Sequence, residues 1–316
     1  MRLFKALTDG ASGALKMWKG IVTVWFFLFL LAAVFVMPLR GVLNIGFGDS
    51  MVVERLADGI DVEVFADLGT LLSGIVSFFF SGLFLVILAG FLLNIFFAGG
   101  FFSRLKQSAG EFRISDFFRE SARNFWSYLV ITILVDLMII SLAVLIVIIP
   151  VSVVIQANPG TEDSGYKAGL ICAGIFLLLL PLLILVADYA RAWQASEEKP
   201  ACFKAIGRGF SITFRTILRS WPMMVMLLIV QALFVILILY LIPAAKPSSG
   251  WGVFLLFWLS QGFFILKLLL KVWRYGSVTA LMEQSLSPGP GIREEAPLLP
   301  EEPELLSSQL QDPVSG

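Results

Sequence analysis

Long apolar stretches alternate with short polar segments along this chain, and six of the stretches are long enough to cross a bilayer. A membrane-spanning helix needs about 20 mainly apolar residues, because each residue advances the helix by about 1.5 Å. The predicted spans are residues 20–38, 71–98, 125–149, 168–187, 221–242 and 251–273. The sequence therefore predicts an all-α, polytopic membrane domain over residues 1–284, followed by a disordered tail over residues 285–316.

The composition supports this prediction and removes several kinds of chemistry. Of the 316 residues, 58% are hydrophobic and the mean hydropathy is +0.90, whereas soluble domains contain about 45–50% apolar residues. The chain has no histidine, so a Ser-His-Asp triad, a Cys-His pair and a His-ligated metal are excluded. The two cysteines, Cys172 and Cys202, are too few for a zinc site or a disulfide framework.

The basic residues lie almost entirely on one side of the predicted topology. Nineteen Lys and Arg residues belong to the N-terminus, the second and fourth loops and the C-terminal end, and four belong to the other three loops. Because cytoplasmic loops carry the excess of Lys and Arg, both termini are predicted to be cytoplasmic. Those four residues are Arg40, Arg55, Lys167 and Lys246.

Amphipathic segments precede the first, third and fifth spans. Each combines an aromatic and aliphatic stripe with basic residues at helical spacing, which is typical of a helix lying in the lipid headgroup region. Anionic lipid contributes about 1 kcal/mol for each basic residue near the surface. Three cytoplasmic interfacial helices are therefore predicted, with anionic-lipid contacts at Lys204, Arg208, Arg215, Arg219, Arg119 and Arg123.

The same three regions predict a three-fold tandem repeat of an interfacial helix, an outward span and a return span. Each amphipathic segment ends at a tryptophan, and each following span ends at a proline about 30 to 36 Å further along a helix. The alternative is six unrelated spans in which Trp and Pro follow general interface preferences. The residues concerned are Trp18, Trp126 and Trp221, then Pro38, Pro150 and Pro243.

Asp136 is the charged residue placed deepest in a predicted span, and such residues are functional candidates because a buried charge is costly. Asp136 and Gln231 each follow the tryptophan of their own unit by ten residues. With Asn94 they predict a polar site inside the membrane for an ion, a proton or a lipid headgroup. The alternative is a neutral Asp136 that stabilises helix packing through a hydrogen bond to Gln231, Thr132 or Asn94.

Asp188 and Arg191 follow the fourth span and are three residues apart on a helix. This spacing predicts an interfacial ion pair, either between the two residues or with the basic stripe of the fourth loop.

Three segments carry a family resemblance: Ala98-Gly99-Gly100-Phe101-Phe102, interpreted as a turn, the basic amphipathic helix from Ser115 to Phe125, and Tyr275-Gly276-Ser277. In these features the chain resembles a group of bacterial six-span inner-membrane proteins, which includes the membrane domain attached to some glycerophosphodiester phosphodiesterases. The resemblance implies a bacterial inner-membrane protein of undefined activity. It supplies no catalytic residue, because the phosphodiesterase domain is a separate barrel that uses histidines.

Three functions remain open from the sequence. The first is a noncatalytic membrane protein that organises anionic lipid or other proteins, without cofactor, metal or nucleic acid. The second is a transporter or channel that uses the polar site around Asp136 and Gln231. The third is an intramembrane enzyme that works through Asp, Glu, Lys or Tyr. Acidic Leu-Leu segments in the tail further predict docking of a cytosolic partner.

Overall fold

A computed structural model describes residues 2–47, 69–106, 112–157, 162–197, 199, 201–244 and 249–286. In this part of the chain the regular structure is entirely helical, which confirms the all-α prediction. The helices are α1 (Arg2–Lys16), α2 (Trp18–Phe47), α3 (Gly69–Lys106), α4 (Ile114–Ala143), α5 (Ile149–Ala157), α6 (Glu162–Gln194), α7 (Cys202–Arg215), α8 (Ile217–Ala244) and α9 (Gly250–Leu286). A π-helical segment, Val144–Ile148, joins α4 to α5.

Six helices are long and apolar enough to cross a membrane, which supports an integral membrane protein. They are α2, α3, the continuous α4–π–α5 helix, α6, α8 and α9. Each contains one of the six predicted spans and extends beyond it at both ends. Helix α9 continues to Leu286, two residues into the predicted tail; residues 287–316, with the Leu-Leu segments, lie outside the described residues.

The prediction that the spans end at prolines is wrong for the first and third spans. Helix α2 continues through Pro38 to Phe47, and α5 continues past Pro150 to Ala157. A proline ring clashes with the carbonyl four residues earlier and removes one backbone hydrogen bond. The π-helical segment just before Pro150 has a wider turn, which accommodates the ring without ending the helix. Helix α8 passes Pro243 by a single residue.

The amphipathic segments form two separate helices rather than three. Helices α1 and α7 are separated from the spans that follow them by Met17 and Thr216, respectively. The middle segment is continuous with its span in α4, because backbone hydrogen bonding is uninterrupted from Ile114 to Ala143. The predicted turn at Ala98-Gly99-Gly100 is also helical and lies within α3.

The spans are arranged as three hairpins that close into a ring. Each outward span packs beside its return span: α2 with α3, α4–α5 with α6, and α8 with α9. The final turns of each return span then pack on the amphipathic segment of the next unit: α3 on α4, α6 on α7, and α9 on α1. These last three contacts are the most extensive between any two helices. The contact of α9 with α1 joins the last unit to the first.

Small residues bring the backbones together at each of these three contacts. A Cβ added to Gly209 of α7 would lie 2.5 Å from the Val186 carbonyl oxygen of α6. A Cβ on Gly276 of α9 would lie 2.8 Å from the Gly10 carbonyl oxygen of α1. A Cβ added to Gly99 of α3 would lie 3.2 Å from the Cα of Ser121 in α4. Small residues of this kind allow close helix packing within membranes.

Small residues of the amphipathic segments lie at all three contacts: Gly10, Ser121 and Gly209. The tryptophans Trp18, Trp126 and Trp221 follow these residues by eight, five and twelve positions. Gln231 and Asp136 follow Gly209 and Ser121 by twenty-two and fifteen positions. The spacing of the tryptophans and of these two polar residues from the contacts therefore differs between the units.

One polar hydrogen bond accompanies each close contact. Trp273 Nε1 of α9 donates to the Leu7 carbonyl oxygen of α1 over 2.9 Å. Asn124 Nδ2 of α4 donates to Ser103 Oγ of α3 over 3.1 Å. Between α6 and α7, the Gln194 side chain accepts a bond of 3.0 Å from the Ala201 backbone N–H. Each bond fixes one return span against the segment that follows it in the ring.

The buried core lies at one end of the bundle, which we call the basic end: the end formed by α1, the start of α4, α7 and the final turns of α9. In the return spans the buried side chains are concentrated near this end, as at Phe102, Leu185, Tyr189, Val278 and Met282. The other halves of the spans expose large apolar side chains. This distribution fits lipid around the apolar halves and protein-to-protein packing at the basic end.

We expect Gly209→Ala to lower the thermal stability of the detergent-purified protein, because the added methyl group displaces α7 from α6. Gly207, two residues earlier in α7, has nothing within 4 Å of an added Cβ. We expect Gly207→Ala to leave the stability unchanged or raise it by up to about 1 kcal/mol. Equal unfolding midpoints for the two variants would contradict the proposed role of Gly209.

Candidate functional site

On the outside of the bundle, the start of α8 adds one basic side chain to the three of helix α7. The small face of α7, with Ala205 and Gly209, is buried against α6. The cations of this helix and of the start of α8 are all exposed, and we call them the basic surface: Lys204, Arg208, Arg215 and Arg219. The structure thus exposes the four residues that the sequence predicts as lipid contacts in this segment.

Large apolar side chains lie beside these cations and are equally exposed. The exposed fraction is 75% for Phe203, 64% for Phe214 and 90% for Leu218. The ring of Phe214 stacks on that of Phe210, with centroids 6.3 Å apart. Apolar side chains next to cations on one exposed helix match the two parts of a lipid interface, the acyl boundary and the charged headgroups.

The other two predicted lipid contacts have their charge offset by carboxylates. Arg123 forms an ion pair of 2.6 Å with Glu120, whose side chain is only 5% exposed. Arg119 lies 3.3 Å from Asp116 and 3.7 Å from Glu120. In contrast, the structure shows no ion pair between the four cations of the basic surface and any described carboxylate. The positive charge available to a lipid is therefore concentrated on α7 and α8 rather than α4.

A buried ion cluster holds the centre of the basic end together. The carboxylate of Asp188 is fully buried between two arginines, 3.1 Å from Arg191 and 3.0 Å from Arg274. Arg191 also donates to Thr132 Oγ1 over 3.0 Å, and Tyr128 Oη donates to the Arg191 carbonyl oxygen over 2.6 Å. The cluster thereby joins α4, α6 and α9.

This cluster is larger and more deeply buried than the sequence indicates. The predicted pairing of Asp188 with Arg191 is confirmed, but its second partner is Arg274 of the last span rather than the basic stripe of the fourth loop. The Asp188 carboxylate is buried in the protein core rather than exposed on the surface. A carboxylate shared by two buried arginines leaves a net positive charge inside the bundle.

Asn94 and Gln231, two of the three polar residues predicted inside the membrane, line a cavity of about 430 Å³. This cavity lies between α2, α3, α8 and α9. Asn94 accepts a hydrogen bond there from the ammonium group of Lys271. Gln231 Nε2 donates to the Leu270 carbonyl oxygen over 3.3 Å. The cavity is therefore polar on the side of α9.

Asp136 lies apart from this cavity, on α4, and is partly exposed. The three residues expected to bond it are engaged elsewhere: Gln231 and Asn94 as described, and Thr132 with Arg191 and the Tyr128 carbonyl oxygen. The structure thus groups Asn94 with Gln231 and leaves Asp136 out of their site.

Three cations of α9 line the same cavity: Lys267, Lys271 and Arg274. The sequence interpretation counted them as charge at the cytoplasmic end of the last span and missed this role. Their separations of four and three residues place them on one helix face, and this spacing is the signal that could have indicated it. The Arg274 guanidinium also lies 5.3 Å from the Tyr275 ring centroid.

We expect Asp188→Asn to destabilise the protein strongly, because it leaves two buried arginines without a counter-charge. Removing one partner of a buried ion pair costs about 3–5 kcal/mol. The measurement is the thermal unfolding midpoint in detergent. Asp163→Asn is the control, since Asp163 pairs with Lys167 on the surface and should contribute little. If both variants unfold at the wild-type midpoint, the buried cluster is not needed for stability.

Comparison with known proteins gives no match to this chain among family models, curated proteins or solved structures. Among the described residues, no group of three or more Cys, Asp or Glu side chains is arranged to hold a metal ion. The function must therefore be inferred from the basic surface, the ion cluster and the cavity.

Proposed function

We propose that this protein is a noncatalytic membrane component that gathers anionic lipid around its basic end. The observation that supports this function is the basic surface, where four exposed cations without ion pairs to described carboxylates stand beside exposed Phe and Leu side chains. Each cation near an anionic leaflet contributes about 1 kcal/mol, so several together favour anionic over zwitterionic lipid substantially.

The attachment of α7 to the bundle supports this proposal. Because Gly209 contacts the α6 backbone and the Gln194 side chain holds the start of α7, the helix is fixed relative to the spans. Lys204 also lies 5.6 Å from the Trp193 ring centroid. A fixed set of cations loses less conformational entropy on binding than a flexible basic loop would.

The proposal includes an orientation and a membrane. The strong bias of Lys and Arg towards the basic end favours a cytoplasmic location for that end and for both termini. We assign the protein to a bacterial cytoplasmic membrane, where anionic lipid is available to the basic surface.

To test the orientation, Cys172 and Cys202 are replaced by Ser, and single cysteines are introduced at exposed sites at opposite ends of the bundle. Ser12 lies at the basic end and Asp163 at the other. In sealed right-side-out vesicles, we expect a membrane-impermeant thiol reagent to modify Asp163→Cys and to reach Ser12→Cys only after permeabilisation. The reverse pattern would refute the proposed orientation.

To test lipid selectivity, the full chain is placed in phosphatidylcholine vesicles with spin-labelled phosphatidylglycerol or phosphatidylcholine, and the motionally restricted fraction of each is measured. We expect the wild type to favour the anionic lipid. We expect the preference to fall by at least half when Lys204, Arg208, Arg215 and Arg219 are all replaced by Gln, because the surface cations are lost.

Arg119→Gln is the control for this experiment, because its charge is already offset by Asp116 and Glu120. We expect this variant to keep the wild-type preference. A wild type without preference for phosphatidylglycerol, or a quadruple variant that retains the full preference, would refute the proposed function.

A further inference from the structure

The cavity between α2, α3, α8 and α9 carries an excess of positive charge. Its wall includes Lys267, Lys271 and Arg274 and contains no carboxylate among the described residues. The charge of Arg274 is shared with Asp188 in the ion cluster. The two lysines have no carboxylate partner in the described part of the chain. Unpaired cations beside a cavity within the membrane are costly unless an anion joins them.

The wall of the cavity supplies hydrogen-bond donors of the kind that an anion accepts from. The Lys271 ammonium group gives one of its three protons to Asn94 and has two others. The side-chain amides of Asn94 and Gln231 also line the space. Ammonium and amide N–H groups both donate to phosphate oxygens, and donation from a cation to an anion is the stronger kind of hydrogen bond.

The depth of these lysines matches that of a lipid phosphate. Trp273 bonds to the amphipathic helix α1, which marks the membrane interface at the basic end. Lys271 and Lys267 precede Trp273 by two and six residues, or about 3 and 9 Å along the helix. The lysines therefore lie just inside the interface, below the level of α1.

The rest of the wall is apolar and points to an amphiphile rather than a free ion. Val24, Leu28, Ile87 and Phe264 line the same cavity. Ile87 is also exposed on the apolar half of α3, so the cavity wall is continuous with a surface that acyl chains would cover. A volume of about 430 Å³ is within the range of ligand pockets, about 300–1,000 Å³.

We propose that this cavity binds the phosphate group of one anionic lipid, with Lys267 and Lys271 as charged contacts and Asn94 and Gln231 as hydrogen-bonding contacts. The acyl chains of that lipid leave the cavity along the apolar halves of the surrounding helices. This site is separate from the basic surface, so its test succeeds or fails independently of the function proposed above.

The test uses the full chain purified in neutral detergent and delipidated. Dioctanoyl phosphatidylglycerol, dioctanoyl phosphatidylcholine and inorganic phosphate are each titrated while the thermal unfolding midpoint is followed, and native mass spectrometry counts the bound lipid. We expect phosphatidylglycerol to raise the midpoint with saturation at one tightly bound molecule. We expect its Kd to rise at least tenfold when Lys267 and Lys271 are both replaced by Gln.

Two further variants separate binding from folding. Gly90 lines the cavity, and a Cβ added there meets only Leu31, at 3.9 Å. Gly90→Leu therefore keeps every charge but fills the cavity, and we expect it to weaken binding at least tenfold as well. Replacing both lysines by Arg should retain binding. The quadruple Gln variant of the basic surface should bind within about twofold of the wild type, because its cations lie outside the cavity.

The proposal is overturned if the double Gln variant binds phosphatidylglycerol as tightly as the wild type, or if phosphatidylcholine binds equally well. It is also overturned if inorganic phosphate competes with the lipid at similar concentrations, since the cavity would then be a site for the free anion. Unchanged binding to Gly90→Leu would place the bound lipid elsewhere on the protein.

Discussion

The close approach of each return span to the next amphipathic segment is the contact on which the rest of this structure depends. Apolar side chains gain little by leaving lipid, so spans associate through tight packing and hydrogen bonds. Gly10, Gly209 and Ser121 allow that packing at three places, and one polar bond accompanies each. Because α1 packs on the end of α9, the first helix is part of the packed core as well as an interfacial helix. The ring therefore closes only when the last span is in place.

Ring closure has an electrostatic consequence at the basic end. It brings the final turns of α6 and α9 together, and with them Arg191 and Arg274, whose charges repel each other. Asp188, placed between the two guanidinium groups, offsets that repulsion. Buried ion pairs add little net stability compared with apolar packing, but breaking them is costly. We infer that the cluster fixes the register of α6 against α9. That register also aligns the Lys267, Lys271 and Arg274 face with the cavity.

The six spans could be predicted from the sequence because a long apolar stretch has few alternatives to crossing a bilayer. The helix ends could not be predicted, because a proline ends a helix in water more readily than it ends a long apolar helix. Here α2 continues through Pro38, and a π-helical turn accommodates Pro150. The pairing of Asp136 with Gln231 relied on the equal spacing of each residue from its tryptophan, and in the structure Gln231 lines the cavity whereas Asp136 does not. The cavity could not be predicted either, because it forms only where two hairpins meet. Its lining residues come from α2 and α3 of one hairpin (24–28 and 87–101) and from α8 and α9 of the other (231 and 264–275).

The two proposed lipid sites differ in the physical origin of their selectivity. On the basic surface, selectivity comes from the number of exposed cations and is screened by salt within about 10 Å at 0.1 M. In the cavity, low dielectric and the Lys271 ammonium group, held by its hydrogen bond to Asn94 Oδ1, make selectivity depend on headgroup geometry, and screening is weak. The location of Asp136 away from the cavity gives a transport pathway through both no structural support. A surface that attracts anionic lipid beside a cavity that retains one molecule is better suited to holding lipid than to moving an ion across the membrane.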